Sequence, residues 1–276
     1  MKLAILTQEK TGTCESFLSR LHNHFIKRGV DSQIIRPLLI GPGISSLRHY
    51  EVVIVRCLKS EYLWLTQYLE EMGTRVINSS RALFLSSNKL VSDQIMKRSG
   101  LRIPSTLFGL REGILEREET FLFPTLVKPL YGRSHGIAYV ESADSLKNLR
   151  RKWVYLQQFI PNNGGVTRIY KLGDVVRSFF HPQKGRPREV SVPDDIMEAA
   201  LRCFFYMEIT IGGIDLIEGE DGYYALEVND LPAGVQLIDN WLDRIGDLVT
   251  EVVETNEQRI KSSGVERTEE IMEMLS

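Results

Sequence analysis

Three groups of residues in this sequence are able to do chemistry. The first is the stretch GGIDLIEGEDGYYALEVND. Side chains alternate along a strand, so Glu227 and Asn229 share a face. A chain reversal at GEDG brings Asp215 opposite Glu227, within about one residue of register. Two carboxylates that close repel each other unless a positive charge lies between them. Hard oxygen donors with one neutral amide suit Mg²⁺ shared with substrate phosphates, and no histidine or cysteine stands nearby to favour zinc. The alternative is a solvated hairpin face carrying unrelated charges. Against it, both carboxylates sit inside apolar runs, where an unpaired one would be costly to bury.

The second group is FPTLVKPLYGRSHG. Lys128 stands in an apolar strand and needs a partner there. Gly132 and Gly136 give the following loop the freedom to bring backbone N–H groups to phosphate oxygens, with Arg133 and His135 adding positive charge. An edge-strand lysine snorkelling beside an ordinary turn is the competing reading. The third group is basic: Arg168, Lys171 and Arg177 on paired strands, then Lys184, Arg186 and Arg188 in a loop. Arg168 and Arg177 are candidates for oxyanion contacts, because a guanidinium binds such groups bidentately. The loop residues read equally well as a solvated basic segment.

These groups need a scaffold. Residues 1 to about 80 read as strand, helix, strand, strand, helix, strand, which implies a small doubly wound parallel sheet; its first loop, TQEKTGTC, lacks GxGxxG. The helix NKLVSDQIMKRSG stops at Gly100 and is followed by a lobe of short strands: STLFG, FPTLVKPL, IAYV and WVYLQQFI. TRIYKLG and DVVRSFF pair around Gly173-Asp174, PDDIMEAALRCFFYM is an N-capped amphipathic helix, and a long amphipathic helix begins at VQLIDNWLDR. The final KSSGVERTEEIMEMLS is polar and expected to fray. The implied units are 1–80, 81–160 and 161–276.

Composition narrows the field. With 276 residues, 43% hydrophobic and a formal net charge of -2, this is an ordinary globular composition with no global pull toward nucleic acid or membrane, so anion affinity must be local. Cys14, Cys57 and Cys203 are odd in number and form no CxxC pair, which fits a reducing, cytoplasmic setting. The apolar run in MKLAILTQEK is shorter than a signal-peptide core and reads as a strand.

The order of these elements resembles the ATP-grasp superfamily, in particular the RimK-type ligases that add amino acids such as glutamate to a carboxylate. VINSSRALFLSSNK resembles the family's entry into its central domain, with Lys89 as the first nucleotide-binding lysine; VKPLYGRSHG resembles the second lysine strand and glycine loop. The resemblance implies nucleotide contacts from Lys128, Tyr131, Gly132, Arg133, Ser134, His135 and Gly136. YLQQFIPNNGG is similar to the adenine hinge, which places Gln157, Gln158, Phe159 and Ile160 there. IDLIEGEDGYYALEVND is similar to the metal hairpin, implying ligation by Asp215, Glu227 and Asn229.

The implied fold is α/β, an ATP-grasp fold with an N-terminal doubly wound domain. The implied cofactors are ATP and Mg²⁺, with Mn²⁺ as a substitute, and the implied partners are a small-molecule or peptide carboxylate and an amino-acid amine. The long C-terminal helix is compatible with a homo-oligomer. Arg168 and Arg177 are the expected catalytic residues. The chain departs from the family at Gln158 and Val166, where acidic residues are usual, and in HPQKGRPREV, which is shorter and lacks paired glycines. GGVTRIYKLGDVV also resembles the ATP-grasp inositol phosphate kinases, so phosphorylation of a hydroxyl is a second reading. A nucleotide-binding regulator without turnover is a third.

Overall fold

The computed structural model describes residues 1–7, 12–35, 47, 49–56, 60–116, 123–130, 136–162 and 164–254. Its first unit is a four-stranded parallel sheet of β1 (Lys2–Thr7), β2 (Asp31–Ile35), β3 (Val52–Arg56) and β4 (Arg75–Ile77), in the order β2-β1-β3-β4. Near-continuous apolar strands of this kind need cover on both faces. The alternation divides them: Leu3 and Ile5 join the core under α1 (Gly12–Lys27), while Ala4 and Leu6 join the core under α2 (Ser60–Glu71).

Sequence patterning did not mark α3 (Ser80–Ser87), although Ser79 caps it by accepting a hydrogen bond from the Ala82 N–H at 3.1 Å. It leads into α4 (Lys89–Arg98), whose cap Asn88 accepts from the amides of Leu90 and Val91. A small antiparallel sheet follows, of β5 (Thr106–Leu110), β6 (Thr125–Lys128), β7 (Ala138–Val140) and β8 (Trp153–Gln158), ordered β5-β8-β6-β7. Val127, Val154 and Leu156 face α5 (Arg111–Leu115) and α6 (Ala143–Lys147) in one small core. Period-2 alternation therefore sends Lys128, Tyr155 and Gln157 to the opposite face.

The third sheet is antiparallel, in the order β11-β10-β9-β12-β13, from β9 (Gly165–Leu172), β10 (Val175–Pro182), β11 (Arg188–Glu189), β12 (Ile211–Gly219) and β13 (Gly222–Asp230). Ile169, Ile214, Leu216, Ala225 and Val228 face α4 and α7 (Asp194–Tyr206). α7 starts at Pro193 without a side-chain cap, so the expected N-cap is corrected. Asp194 and Asp195 in its first turn complement the helix dipole instead.

The C-terminal helix α8 occupies 241–254 and does not begin at Val235. Ala233–Leu237 is a separate 3-10 helix, Ile238 is extended, and Asn240 takes φ 57°, which no α-helix can continue through. The core beneath α1 runs on into Tyr170, Leu172, Leu231, Trp241 and Ile245, so the first sheet leans directly on the third. Two side chains tie the same junction. Asn78 accepts from the amides of Thr210 and Ile211 and donates to the Ile211 carbonyl, and Arg56 donates to the carbonyl of Leu231. Both strands of the β12–β13 hairpin are thereby gripped at its open end from the N-terminal unit.

Candidate active site

The hairpin register pairs Asp215 directly with Glu227, and Gly213 with Asn229. β9 lies on the other side of β12 and pairs Arg168 with Asp215. Cross-strand partners share a face, so Arg168, Asp215, Glu227 and Asn229 line one surface of the sheet. Arg168 Nε lies 3.1 Å from Asp215 Oδ1, but it is not aligned for a hydrogen bond, so the contact is an ion pair. Burial works against the Arg168 charge; Asp215, Tyr170 and Glu227 outweigh it and hold the guanidinium above its ordinary value. Asn229 Nδ2 donates to Glu227 Oε1 at 3.4 Å, which leaves the amide Oδ1 available.

Lys89 and Lys128 come from different elements and are both buried, 8% and 7% exposed. Lys89 opens α4, where its own N–H donates to the Leu130 carbonyl at 3.2 Å. Lys128 Nζ donates to Gln157 Oε1 at 2.5 Å. Burial pushes both ammonium groups below their usual range; Glu227 draws both back, and for Lys128 the proximity of Lys89 adds to the depression. Two buried lysines that repel one another beside a carboxylate are chemically suited to a polyanionic phosphate.

Among the described residues no group of three or more His, Cys, Asp or Glu side chains could hold a metal ion. Asp215, Glu227 and Asn229 are two carboxylates and an amide, an incomplete shell of hard donors. That set suits Mg²⁺, which keeps positions for substrate phosphates. A polyanion placed between these lysines and carboxylates would need a cation to separate the like charges.

The remaining expected site residues are distributed less simply. Gln157 is 1% exposed and turned toward Lys128 rather than outward. The Gln158 and Phe159 amides donate to the carbonyls of Ser105 and Pro124, so neither N–H is left as a donor for an adenine edge. The Phe159 ring meets Tyr139 edge-on at 5.3 Å, and Ile160 is buried near Gly219. Arg177 is exposed and reaches Glu189 at 3.4 Å. Lys171 belongs to the opposite side of the sheet, where its Nζ donates to the Gly173 carbonyl. Gly136 is described and accepts a hydrogen bond from Arg151 through its carbonyl; Tyr131, Gly132, Arg133, Ser134 and His135 lie outside the described residues.

Sequence reading missed Asp93 and the Tyr170–His181 pair. Asp93 stands four residues after Lys89, one helical turn along the same face, and that spacing was the available signal. Tyr170 is wedged so tightly that a Cβ on Gly234 would lie 2.0 Å from its hydroxyl, and the hydroxyl sits 3.1 Å from His181 Nε2.

Burial, then Arg168, pushes the His181 imidazole down from 6.5 to about 4. The unfolded chain takes up that proton at higher pH than the folded one. The associated stability is therefore complete above about pH 6.5 and drains away as pH falls toward about 4. His181→Gln should flatten this part of the thermal-stability profile, and melting curves with unchanged slope would contradict the assignment.

Comparison with known proteins agrees with this geometry. The family model for the RimK-like ATP-grasp domain matches residues 86–243, more than half of the 276-residue chain. The chain belongs to the RimK-like ATP-grasp family and, with it, to the ATP-dependent ligases. It is 25% identical over 300 residues to the probable alpha-L-glutamate ligase 1 of Shewanella denitrificans, covering 95% of this chain and 100% of that protein. A RimK domain ATP-grasp protein of Sphaerobacter thermophilus superposes with a TM-score of 0.74 at 20% identity, over 91% of this chain and 100% of that one. The ATP-grasp ligase PsnB, in complex with a minimal precursor, Mg and ADP, gives 0.64 at 17% identity, over 91% and 98%. No helix among the described residues is long and apolar enough to cross a membrane.

Proposed function

We propose that this chain is an ATP- and Mg²⁺-dependent carboxylate–amine ligase in which Asp215, Glu227 and Asn229 hold the metal and Lys89 and Lys128 hold the phosphates. Mn²⁺ would serve in place of Mg²⁺. The carrying observation is the Asp215–Glu227 pair on one sheet face, with Arg168 3.1 Å from Asp215. Likeness to a probable glutamate ligase and to PsnB, which is also known in complex with a precursor peptide, supports an amino acid such as glutamate as the amine and a small-molecule or peptide carboxylate as its acceptor. A cytoplasmic setting, and working units at 1–80, 81–160 and 161–276, belong to the same proposal.

The bound metal would screen the phosphates from the two carboxylates and polarise the transferred phosphoryl group. The chain's own side chains supply the rest. Lys89 and Lys128 neutralise charge that would repel an incoming carboxylate, and their burial strengthens that effect. Arg168 is held charged and in place by Asp215, ready for the oxyanion that develops when an amine adds to the activated carboxyl. Arg177, exposed on β10, is the second candidate for that oxyanion.

The test is hydroxylamine trapping. A ligase passes through an acyl phosphate, so with Mg-ATP and a panel of dicarboxylic acids and acidic peptides, hydroxylamine should give a hydroxamate and one phosphate released per product. A stable phosphorylated alcohol without free phosphate would instead establish the kinase reading suggested by GGVTRIYKLGDVV.

A further inference from the structure

The two halves of the nucleotide site stand on different cores. Ile95 and Met96 bury one side of α4 against Ala199, Cys203 and Phe204, so Lys89 travels with the large sheet and its carboxylates. Lys128 belongs to the small sheet, whose core of Ile114, Val127, Val140, Leu146, Val154 and Leu156 shares no residue with the first. What joins α4 to the open face of the small sheet is polar. One turn beyond Lys89, Asp93 Oδ2 accepts a hydrogen bond from the Tyr155 hydroxyl at 2.6 Å, and Thr106 binds the same carboxylate. Asp93 is 3% exposed and Tyr155 1%. Tyr155 is the register partner of Lys128, and Gln157, which holds the Lys128 ammonium, lies on the same face two residues on.

A carboxylate this deeply buried is unfavourable unless its hydrogen bonds are complete, and a charge-assisted bond of this kind is among the stronger ones. The bond starts one helical turn from Lys89 and ends on the register partner of Lys128. From this geometry we infer that the Asp93–Tyr155 bond is a latch across the two lobes, making both side chains positioning residues that set the spacing of Lys89 and Lys128. Its consequence is selectivity for a triphosphate: only a ligand that reaches both lysines senses the spacing. The inference rests on the nucleotide-site reading above, but not on whether the product is an amide or a phosphate ester.

The test is calorimetry on the whole chain with Mg-ATP and with AMP, neither requiring the second substrate. Tyr155→Phe keeps the ring and removes the bond; it should weaken Mg-ATP binding about tenfold while AMP binding stays within about twofold of wild type. Asp93→Ala, acting from the other lobe, should give the same selective loss. The double variant should lose no more than either single one, because both remove one bond. Asp93→Asn, which keeps an acceptor for Tyr155, should restore most of the affinity. Equal weakening of ATP and AMP would mean ordinary structural damage and overturn the latch, as would unchanged ATP affinity or losses that multiply in the double variant. A failed ligase reading would appear in hydroxylamine trapping and leave these affinities unmoved.

Discussion

Replacing Glu227 with glutamine should reduce Mg²⁺-dependent turnover by at least about a hundredfold, with the fold intact. The substitution keeps the shape of a side chain opposite Asp215 in the hairpin register and removes only its charge. Asn229 can still donate to the new amide oxygen, so the strand face stays paired. What disappears is half of the anionic charge that binds the cation. Asp215→Asn should act in the same direction and add a structural cost, because it strips Arg168 of the carboxylate 3.1 Å away. Phosphate release at saturating Mg-ATP checks the first effect, and thermal melts check the second. Near-normal turnover in both variants would remove the metal assignment.

Lys128→Met should weaken Mg-ATP binding by roughly 10- to 100-fold, the size expected when a charge-assisted contact to phosphate is lost. Methionine replaces the aliphatic stem without the ammonium and fits a site only 7% exposed, so the readout weights charge over packing. Stability should change little: the desolvation that depresses the Lys128 ammonium is relieved, while Gln157 Oε1 loses its donor. Calorimetry gives the affinity directly. An unchanged value would return Lys128 to the role of a lysine that merely closes a buried amide.

The contrast between these two sites shows how much of the design lay open in the residue order. The β12–β13 hairpin was legible because its determinants are local. Alternation fixes which side chains share a face, GEDG fixes the reversal, and the two together place Asp215 against Glu227 even though a register shift follows at Leu216. The doubly wound N-terminal sheet was legible for the same reason: its central strands β1 and β3 are apolar on both faces, and α1 and α2 each bury an apolar stripe against one of those faces.

Where local rules competed, the reading slipped. The apolar spacing of VQLIDNWLDR suits one long helix, yet the backbone breaks at Asn240 and tightens into a 3-10 turn before it. That turn brings Gly234 against Tyr170, a contact 64 residues distant that no helical pattern encodes.

By itself, then, the sequence determined most of the strands and helices, the faces of the β12–β13 hairpin that bring its carboxylates together, and the family whose order of motifs it follows. The tertiary structure alone decided which charges meet. Arg168 reaches Asp215 because β9 is the strand laid beside β12, whereas Lys171, three residues on, is turned to the other side by the same alternation. Lys89 and Asp93 face the small sheet because the opposite side of α4 is buried against α7. The physical reason is range: hydrogen-bonded periodicity acts over a few residues, whereas the approach of ionised groups from separate elements is set by how whole cores pack.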